Sequence, residues 1–380
     1  MSVNVNGAIS RIKLSGFKSI KSAELEFDNL NVLIGANGSG KSNFISFFQM
    51  LDFILGDKDG LAEYVGRNGG SRSLMYFGNM VTKSIEAEMV FKTSAGTNQY
   101  SVELGDQIGG KLFFKDERVS FSSGKYTKPP SPIPLGSGGS YSRLLQISEN
   151  DEDYTKSQIT TIWAIRDIMR KWCFHQFHNT AKDTYIRSAI HVNDNSYLRS
   201  DGGNLAAFLY MLKNRFPDVF FSIVDTLKQI APFIDKLVLE EEYASPYVQI
   251  KWSEKQQADY LLDASQMSDG TIRALALVTL LMQPKRPPLI CIDEPELGLH
   301  PEAILIIGDL IKIASEDTQI ILSTQSSKLI DCFEPQDIVV VDRSADGTRF
   351  NRLNYEKYKV WLDEYSISET WDTNVIGGRP

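Results

Sequence analysis

Two hydrophobic periodicities divide the chain into regions with different predicted structure. Apolar residues alternate with polar or charged residues in residues 12–14, 23–27 and 85–121. A period of two is typical of strands that have one buried face. We therefore predict an antiparallel layer of strands in the first third of the chain.

Short apolar runs make up the second class of predicted strand. The runs are residues 31–34, 289–292 and 319–323, and apolar residues at helical spacing occupy residues 44–54, 272–282 and 301–314. Uninterrupted apolar runs are typical of parallel strands buried on both faces. Because such strands alternate with helices here, we predict a parallel sheet and an α/β fold.

The middle of the chain has a different pattern. Residues 122–141 are rich in proline and glycine, which is typical of a linker or a mobile lid. Helical spacing then covers residues 155–172, 204–214 and 217–234, and strand-like patterns cover residues 236–239 and 247–252. We predict that residues 1–121 and 236–380 form the two halves of one domain, which we call the head. Between them we predict a flexible linker in residues 122–141 and an inserted, mainly helical lobe in residues 142–235.

Composition changes this picture little. The chain has 380 residues, 42% hydrophobic and 23% charged, so it can bury a large core. The first residues show no charged start followed by an apolar run, and no stretch has the length of a membrane span, so we expect no membrane partner and a cytoplasmic location. The net charge of −8 argues against a surface that coats DNA, although it allows a local basic groove.

The strongest chemical signal is the run G-A-N-G-S-G-K-S between the predicted strand 31–34 and the predicted helix that follows. Backbone N–H groups of such a loop bind phosphates, Lys41 reaches the terminal phosphates and the Ser42 hydroxyl ligates magnesium. The candidate phosphate ligands are Gly35, Gly38, Ser39, Gly40, Lys41 and Ser42. A glycine-rich turn that binds nothing is the alternative, but the flanking strand and helix favour the phosphate site.

Two further motifs follow in the second half of the chain. Ser268-Asp-Gly-Thr271 precedes an Ala- and Leu-rich helix, whose first N–H groups would face an anion. Alone, this motif also fits an ordinary N-cap and turn. Asp293 and Glu294 end a buried strand at the sheet edge where ligands bind in α/β proteins. Asp293 would hold Mg²⁺, and Glu294 would accept a proton from the attacking water.

Taken in order, these motifs resemble the RecF/SMC-type branch of the ABC ATPases, close to RecF-like AAA ATPases found near bacterial defence and repair genes. The resemblance is carried by residues 14–19 (L-S-G-F-K-S), residues 35–43, the signature 268–271 and residues 292–301 (I-D-E-P-E-L-G-L-H-P). It covers both ends of the chain and leaves the middle without a match. The implied fold is an ABC-type P-loop ATPase head, a mixed parallel sheet with an antiparallel β layer, carrying an inserted helical lobe.

The resemblance also implies an assembly. Two copies would form a head-to-tail dimer that encloses two ATP molecules, with Ser268 and Gly270 of one copy on the γ-phosphate bound to the other. Asn37 would approach the γ-phosphate, Lys18 and Ser19 would lie near the nucleotide, and Asn43 would follow the loop in the binding site. Residues 297–301 would run along the dimer interface.

Two features depart from the family pattern. A switch histidine is common after the strand that follows the carboxylates, but this chain has Gln325 there. An amide can orient water or contact phosphate but cannot carry a proton, so we expect slow turnover. The chain also lacks a long coiled coil, which makes its build closer to that of RecF. The family's Q-loop glutamine has two candidates, Gln146 and Gln176.

Three functional hypotheses remain at this stage. The first is an ATP-hydrolysing switch, with ATP and Mg²⁺ as cofactors, that acts on DNA or a DNA-bound complex in genome maintenance or anti-phage defence. The second is an ATPase scaffold that sequesters or activates a separate effector, a nuclease or toxin, with little DNA contact. The third, a P-loop kinase, is disfavoured by the signature and by the absence of an acceptor site. A metal site at Cys173, His175 and His178 is likewise disfavoured, because no matching pair of ligands follows.

Overall fold

The computed structural model describes residues 7–123, 131–175, 177, 180, 184–241 and 245–379. In chain order the strands are β1 (Ile9–Phe17), β2 (Ile20–Glu26), β3 (Leu30–Ile34), β4 (Ser84–Thr93), β5 (Gly96–Gln107), β6 (Lys111–Ser122), β7 (Ile133–Gly136), β8 (Cys173–His175), β9 (Ile190–His191), β10 (Ile234–Glu241), β11 (Tyr247–Glu254), β12 (Gln257–Asp263), β13 (Leu289–Asp293), β14 (Gln319–Thr324), β15 (Ile338–Ser344) and β16 (Gly347–Arg352).

The helices connect these strands and cover the sheets. In chain order they are α1 (Lys41–Gly56), α2 (Gly60–Arg67), α3 (Ser71–Leu74), α4 (Lys156–Met169), α5 (Leu205–Arg215), α6 (Pro217–Ile230), α7 (Asp269–Met282), α8 (Pro301–Ala314), α9 (Ser327–Ile330), α10 (Tyr355–Leu362) and α11 (Ile367–Asp372). The predicted helices 44–54, 272–282 and 301–314 are confirmed as α1, α7 and α8.

A mixed sheet with the strand order β16-β15-β3-β14-β13-β8 positions the motifs. Strands β15, β3, β14, β13 and β8 run parallel, and β16 pairs antiparallel with β15 at one edge. The register pairs Asp293 with Ser323 and Ser323 with Leu33. The carboxyl ends of β3, β13 and β14 therefore meet at one edge, which confirms the parallel sheet predicted from the short apolar runs.

The alternating segments form a separate antiparallel sheet with the order β2-β1-β4-β5-β6-β7, as the period of two predicts. Gln319, at the start of β14, joins this sheet to the mixed one. Its amide oxygen accepts from the Ile9 main-chain N–H at 2.8 Å, and its amide nitrogen donates to the Ile9 carbonyl at 2.8 Å. These bonds satisfy a buried amide and fix the antiparallel sheet against the sheet that carries the motifs.

A third sheet, β10-β11-β12 with β9 on β11, packs with α5 and α6. The predicted helix 217–234 is wrong at its end, because α6 stops at Ile230 and Ile234 begins β10. Pro232 explains the difference, since proline lacks the N–H that a continuing helix needs and disfavours helical geometry at Ala231. The predicted helix 155–172 is likewise shorter, ending at Met169.

Three strands lie inside the predicted linker and the predicted helical lobe, for which no strand was predicted. One of them, β9, lies in the lobe and pairs with β11. Residues 133–136, within the predicted linker 122–141, form β7 and pair with β6. Residues 173–175, within the predicted helical lobe 142–235, form β8 and pair with β13 of the mixed sheet. Residues 124–130 lie outside the described residues, and the division into four regions stays a prediction. In the part of the chain described above, every helix is too short or too polar to cross a membrane.

Candidate functional site

The phosphate loop joins the end of β3 to the start of α1, as its sequence predicts. Gly40 is the N-cap of α1 with φ 115°, and a Cβ there would lie 2.3 Å from the Thr348 hydroxyl oxygen. No side chain of the described residues caps α1. The first N–H groups of this helix therefore remain available to an anion, and its dipole favours negative charge at that point.

Lys41 lies inside this loop rather than in solvent. Its side chain is 4% exposed, and its Nζ donates to the carbonyl oxygens of Gly35 at 2.6 Å and Ala36 at 3.1 Å. Burial lowers the pKa of Lys41, and the nearby carboxylates of Glu294 and Asp293 oppose that shift. The ammonium group is thus held by neutral carbonyls, which phosphate oxygens can replace.

Asp293 ends β13 beside the first turn of α1. Its carboxylate oxygen Oδ1 accepts a short hydrogen bond from the Ser323 hydroxyl and lies 3.5 Å from the Ser42 hydroxyl. One hydroxyl and one carboxylate are oxygen donors of the kind that Mg²⁺ takes from proteins, which leave its other positions to phosphate and water. The residues predicted to hold Mg²⁺, Ser42 and Asp293, therefore fit this ion.

Glu294 follows Asp293 in an uncommon backbone conformation, with φ 45°. Its Oε1 accepts a hydrogen bond of 2.6 Å from the side-chain amide of Gln325, at the end of β14. The structure thus brings together the predicted general base and the glutamine that replaces the switch histidine. Because one carboxylate oxygen is occupied by the amide, the other is the better placed to accept a proton.

Glu296 is a residue that sequence reasoning missed. Its Oε1 accepts from the Thr324 hydroxyl at 2.6 Å and from the Gln325 main-chain N–H at 3.0 Å. Its Oε2 is buried without a hydrogen-bond partner among the described residues, and burial raises the pKa of this carboxyl group. Glu296 therefore ties the segment after the carboxylates to the end of β14 and holds the backbone that carries Gln325.

The signature residues lie between the phosphate loop and the carboxylates in the sequence, and they form a separate group in the structure. Ser268 caps α7, accepting from the Thr271 main-chain N–H at 3.1 Å. A Cβ on Gly270 would lie 2.3 Å from the Gly298 carbonyl oxygen, so only glycine allows this approach. Among the described residues, no hydrogen bond or ion pair joins Ser268 or Gly270 to the phosphate loop of the same chain.

Arg187, also missed from sequence, organises the signature loop. Its side chain is buried, and it donates to the carbonyl oxygens of Ala264 at 2.6 Å and Met267 at 2.7 Å. It also donates to the Thr180 carbonyl at 2.7 Å and to Asp269 Oδ1 at 2.6 Å. The fork of the guanidinium group thus holds the turn that leads into α7. Arg187 lies in a short turn with no recognisable motif, so the sequence alone does not indicate this role.

We expect Arg187→Met to lower the free energy of unfolding by about 2–4 kcal/mol, because it leaves buried carbonyl groups without a donor. Unfolding in urea is monitored by fluorescence, and the denaturation midpoints of the variants are compared. Arg67→Met is the matched control, because Arg67 is exposed on the surface of α2, where it pairs with Glu63 and lies over the Phe53 ring. Equal denaturation midpoints for Arg187→Met and the control would contradict the role assigned to Arg187.

The residues predicted to flank the nucleotide form a polar cluster beside the loop. The Ser19 hydroxyl accepts from the Asn43 amide at 2.8 Å and shares a hydrogen bond of 2.8 Å with the Thr348 hydroxyl. Thr348 was missed from sequence and also donates to the Ser39 carbonyl at 2.9 Å. Lys18 and Ser19 line a cavity of about 500 Å³ next to the loop, together with Asn43, Tyr76, Phe77 and Arg343.

The remaining candidates are placed as follows. Asn37 is exposed in the phosphate loop, and His300 is the N-cap of α8. Cys173 and His175 belong to β8, where burial lowers the pKa of His175 to about 4 and keeps its ring neutral. Gln146 accepts a hydrogen bond from Arg143 beside the antiparallel sheet. His178 and Gln176 lie outside the described residues.

Two solved structures establish the fold class. A structure described as the SmcHead bound to the C-winged helix domain of ScpA matches 93% of this chain and 99% of its own, with TM-score 0.61 and 18% identity. The Smc head domain of Pyrococcus furiosus, with an extended coiled coil and bound to the C-terminal domain of ScpA, matches 94% of this chain and 98% of its own. Its TM-score is 0.53 and its identity 16%. The predicted ABC-type head fold is confirmed.

Sequence comparison adds a relative and a family. The Old nuclease of Escherichia phage P2 is 28% identical over 130 residues, which is 31% of this chain but only 22% of the relative's length. The family model described as "AAA domain, putative AbiEii toxin, Type IV TA system" matches residues 30–331. That range runs from the strand before the phosphate loop to the helix after Gln325, so it contains all of the motifs of the mixed sheet. The chain therefore belongs to this AAA-domain family and has the head fold of the RecF/SMC-type ABC ATPases.

Proposed function

We propose that the protein is an ATP-binding and ATP-hydrolysing switch that works as a nucleotide-dependent dimer. The observation that carries this proposal is the meeting of Lys41, Ser42, Asp293, Glu294 and Gln325 at one edge of the mixed sheet. The loop N–H groups and Lys41 bind the phosphates of ATP. Ser42 and Asp293 hold Mg²⁺, which when bound neutralises part of the phosphate charge.

The chain's own residues support a hydrolytic reaction. Glu294 accepts a proton from the water that attacks the γ-phosphate, and the Gln325 amide orients its carboxylate. The glutamine can also donate a hydrogen bond to a phosphate oxygen, but it cannot accept and pass on a proton at neutral pH. We therefore propose hydrolysis with slow turnover, in which Glu294 alone handles the proton.

The nucleoside end of ATP fits the cavity lined by Lys18, Ser19 and Asn43. Phe77 lies at this cavity and is 70% exposed, with its ring in edge contact with Tyr76. An exposed aromatic ring offers a face on which an adenine base can stack. The polar cluster of Ser19, Asn43 and Thr348 then fixes the cavity relative to the phosphate loop.

Dimerisation is supported by the separation of the two groups of site residues. Ser268 and Gly270 make their contacts with α7 and Gly298, while the phosphate loop lies at the end of β3. A second copy placed head to tail would bring its Ser268 and the positive end of its α7 to the phosphates. Leu297, which is 45% exposed in the segment after the carboxylates, would be covered in that assembly.

The target of the switch is proposed from the relatives. The Old nuclease of phage P2 and the Smc heads bound to ScpA connect this type of head with nucleic acid and with partner proteins. We propose action on DNA or a DNA-bound complex, in genome maintenance or anti-phage defence. The net charge of −8 favours a second candidate, an ATPase scaffold that controls a separate nuclease or toxin.

Light scattering of the full chain tests both proposals. Mass is measured without nucleotide, with ATP and Mg²⁺, and with a non-hydrolysable ATP analogue, each with and without duplex DNA. We expect the mass to double only when nucleotide is present, and a further DNA-dependent increase would support the first target. A nucleotide-dependent dimer whose mass does not change when DNA is added would favour the scaffold. A mass that never changes with nucleotide would contradict the switch.

Glu296→Ala is expected to lower kcat about tenfold with little change in KM. The substitution removes the acceptor that holds Thr324 and the Gln325 main chain, so Gln325 loses its fixed position on Glu294. Glu296→Gln should retain most of the activity, because its amide oxygen accepts the same two hydrogen bonds. Steady-state ATPase assays measure both constants, with Glu302→Ala, an exposed position on α8, as control. Unchanged kcat in Glu296→Ala would refute the positioning role.

A further inference from the structure

The chain segment 374–379 lies directly against the outer side of the phosphate loop. The Ala36 main-chain N–H donates to the Gly378 carbonyl oxygen at 2.6 Å. The Gly378 N–H in turn donates to Asp342 Oδ1 at 2.6 Å, in β15. Through Gly378, the start of the phosphate loop is therefore connected to the strand that neighbours β3.

This contact requires glycine at position 378. The residue has φ +83°, a conformation that L side chains rarely adopt. A Cβ would lie 2.9 Å from Val340 Cγ1, 3.1 Å from Trp371 Nε1 and 3.5 Å from the Cα of Gly35. Both the backbone conformation and the close packing therefore require glycine at position 378.

The segment is itself firmly attached to the head. Trp371 and Ile376 are each 5% exposed. The Arg379 guanidinium group lies over the Trp371 ring, 5.0 Å from its centroid, and pairs with Asp372. The Val375 N–H donates to the Thr370 carbonyl at 3.0 Å. Gly378 is therefore presented to the loop by a packed structure.

The bond from Ala36 acts on the part of the loop that holds Lys41. Gly35 and Ala36 supply the two carbonyl oxygens that bind Lys41 Nζ, and Ala36 O also accepts from the Ser39 N–H at 3.1 Å. A shift of the Ala36 peptide would move these carbonyls together. The orientation of this peptide therefore decides where the lysine and the following N–H groups point.

We propose that residues 374–379 form a strap in which Gly378, held by Asp342, is a positioning residue for the phosphate loop and sets the affinity for nucleotide. This inference rests on the proposed ATP site. Preorganising a loop raises affinity because less conformational entropy is lost on binding. The strap lies beyond residue 331, where the match to the family model ends.

The test compares Gly378→Ala and Asp342→Ala with wild type. Gly109→Ala is the matched control, because Gly109 also has positive φ, +93°, but has open space around it and lies in the β5–β6 turn. Affinity is measured by titration with a fluorescent ATP analogue, and kcat and KM by steady-state hydrolysis. Amide hydrogen exchange of residues 33–40, resolved to the Ala36 N–H, is measured without nucleotide.

We expect both strap variants to weaken nucleotide binding about tenfold, the effect of losing one or two hydrogen bonds, with kcat at saturating ATP within about twofold of wild type. The exchange of Ala36 should become faster, while Gly109→Ala matches wild type in all readouts. Asp342→Ala introduces no backbone strain, so it decides the question if Gly378→Ala does not fold. Unchanged exchange and affinity in Asp342→Ala would overturn the strap. If wild type binds no ATP, the proposed function fails, and the exchange of Ala36 still decides whether the strap holds the loop.

Discussion

Glu294→Gln is expected to lower kcat for ATP hydrolysis by about a hundredfold to a thousandfold while ATP binding is retained. General base catalysis contributes roughly 10²–10⁴ to such rates, and the amide of glutamine cannot accept the proton. The substitution keeps the size of the side chain, and the glutamine oxygen can still accept from the Gln325 amide as Glu294 Oε1 does. The site should therefore remain assembled but inactive.

Two readouts separate this outcome from a general loss of structure. Phosphate release measures kcat, and light scattering measures the mass of the variant with ATP and Mg²⁺. We expect the ATP-bound dimer to accumulate in Glu294→Gln, because the nucleotide is not consumed. Glu316→Gln, an exposed carboxylate after α8, is the matched control. Wild-type kcat in Glu294→Gln would show that another group activates the water.

Lys41→Ala is expected to weaken ATP binding by at least about a hundredfold. The variant loses a buried ammonium group that would bind two phosphate oxygens with charge-assisted hydrogen bonds, each worth about 1.5–3 kcal/mol. It also leaves the carbonyl oxygens of Gly35 and Ala36 without the Lys41 donor. The loss of affinity should therefore accompany a looser loop.

Binding is measured with a fluorescent ATP analogue and, independently, as the rise in melting temperature that ATP and Mg²⁺ produce. A ligand at a hundred times its Kd stabilises a protein by about 2.7 kcal/mol, and a hundredfold weaker Kd cuts this to about 0.4 kcal/mol, so most of the rise should disappear in Lys41→Ala. Lys58→Ala is the control, because Lys58 is exposed just after α1. An unchanged rise in Lys41→Ala would place the nucleotide elsewhere in the molecule.

The local motifs could be recognised in the sequence because their chemistry depends on residues that are neighbours along the chain. Glycines and a lysine at fixed spacing, between a buried strand and a helix, predicted the phosphate loop at the start of α1. Asp293 and Glu294 at the end of an apolar run were placed at the carboxyl edge of the sheet for the same reason. Strand β8 escaped prediction because three residues are too few to show a period. The end of α6 was misplaced because Ile234 continues the helical spacing past Pro232.

The residues that sequence reasoning missed act across large separations in the chain. Glu296 holds the end of β14, Arg187 holds the signature loop, and Thr348 reaches the phosphate loop from a hairpin more than 300 residues away. Each is an ordinary polar residue in an irregular or short segment. Its role depends on which distant backbone groups the fold leaves without a hydrogen-bond partner in their own element. No local sequence pattern indicates which groups these are.

The sequence by itself determined the α/β class, the phosphate loop and the pair of acids, because periodicity and glycine spacing act over one strand or one helical turn. Only the tertiary structure decided that Gln325 contacts Glu294 and that Gly378 accepts from Ala36. It also decided that Glu296 holds the backbone of Gln325 and that Arg187 holds the turn before α7. The contacts of Gln325, Glu296 and Gly378 follow from the strand order β16-β15-β3-β14-β13-β8, which places β14 beside β13 and β15 beside β3. Strand order is set by packing of the whole chain, which brings together groups that are far apart along it.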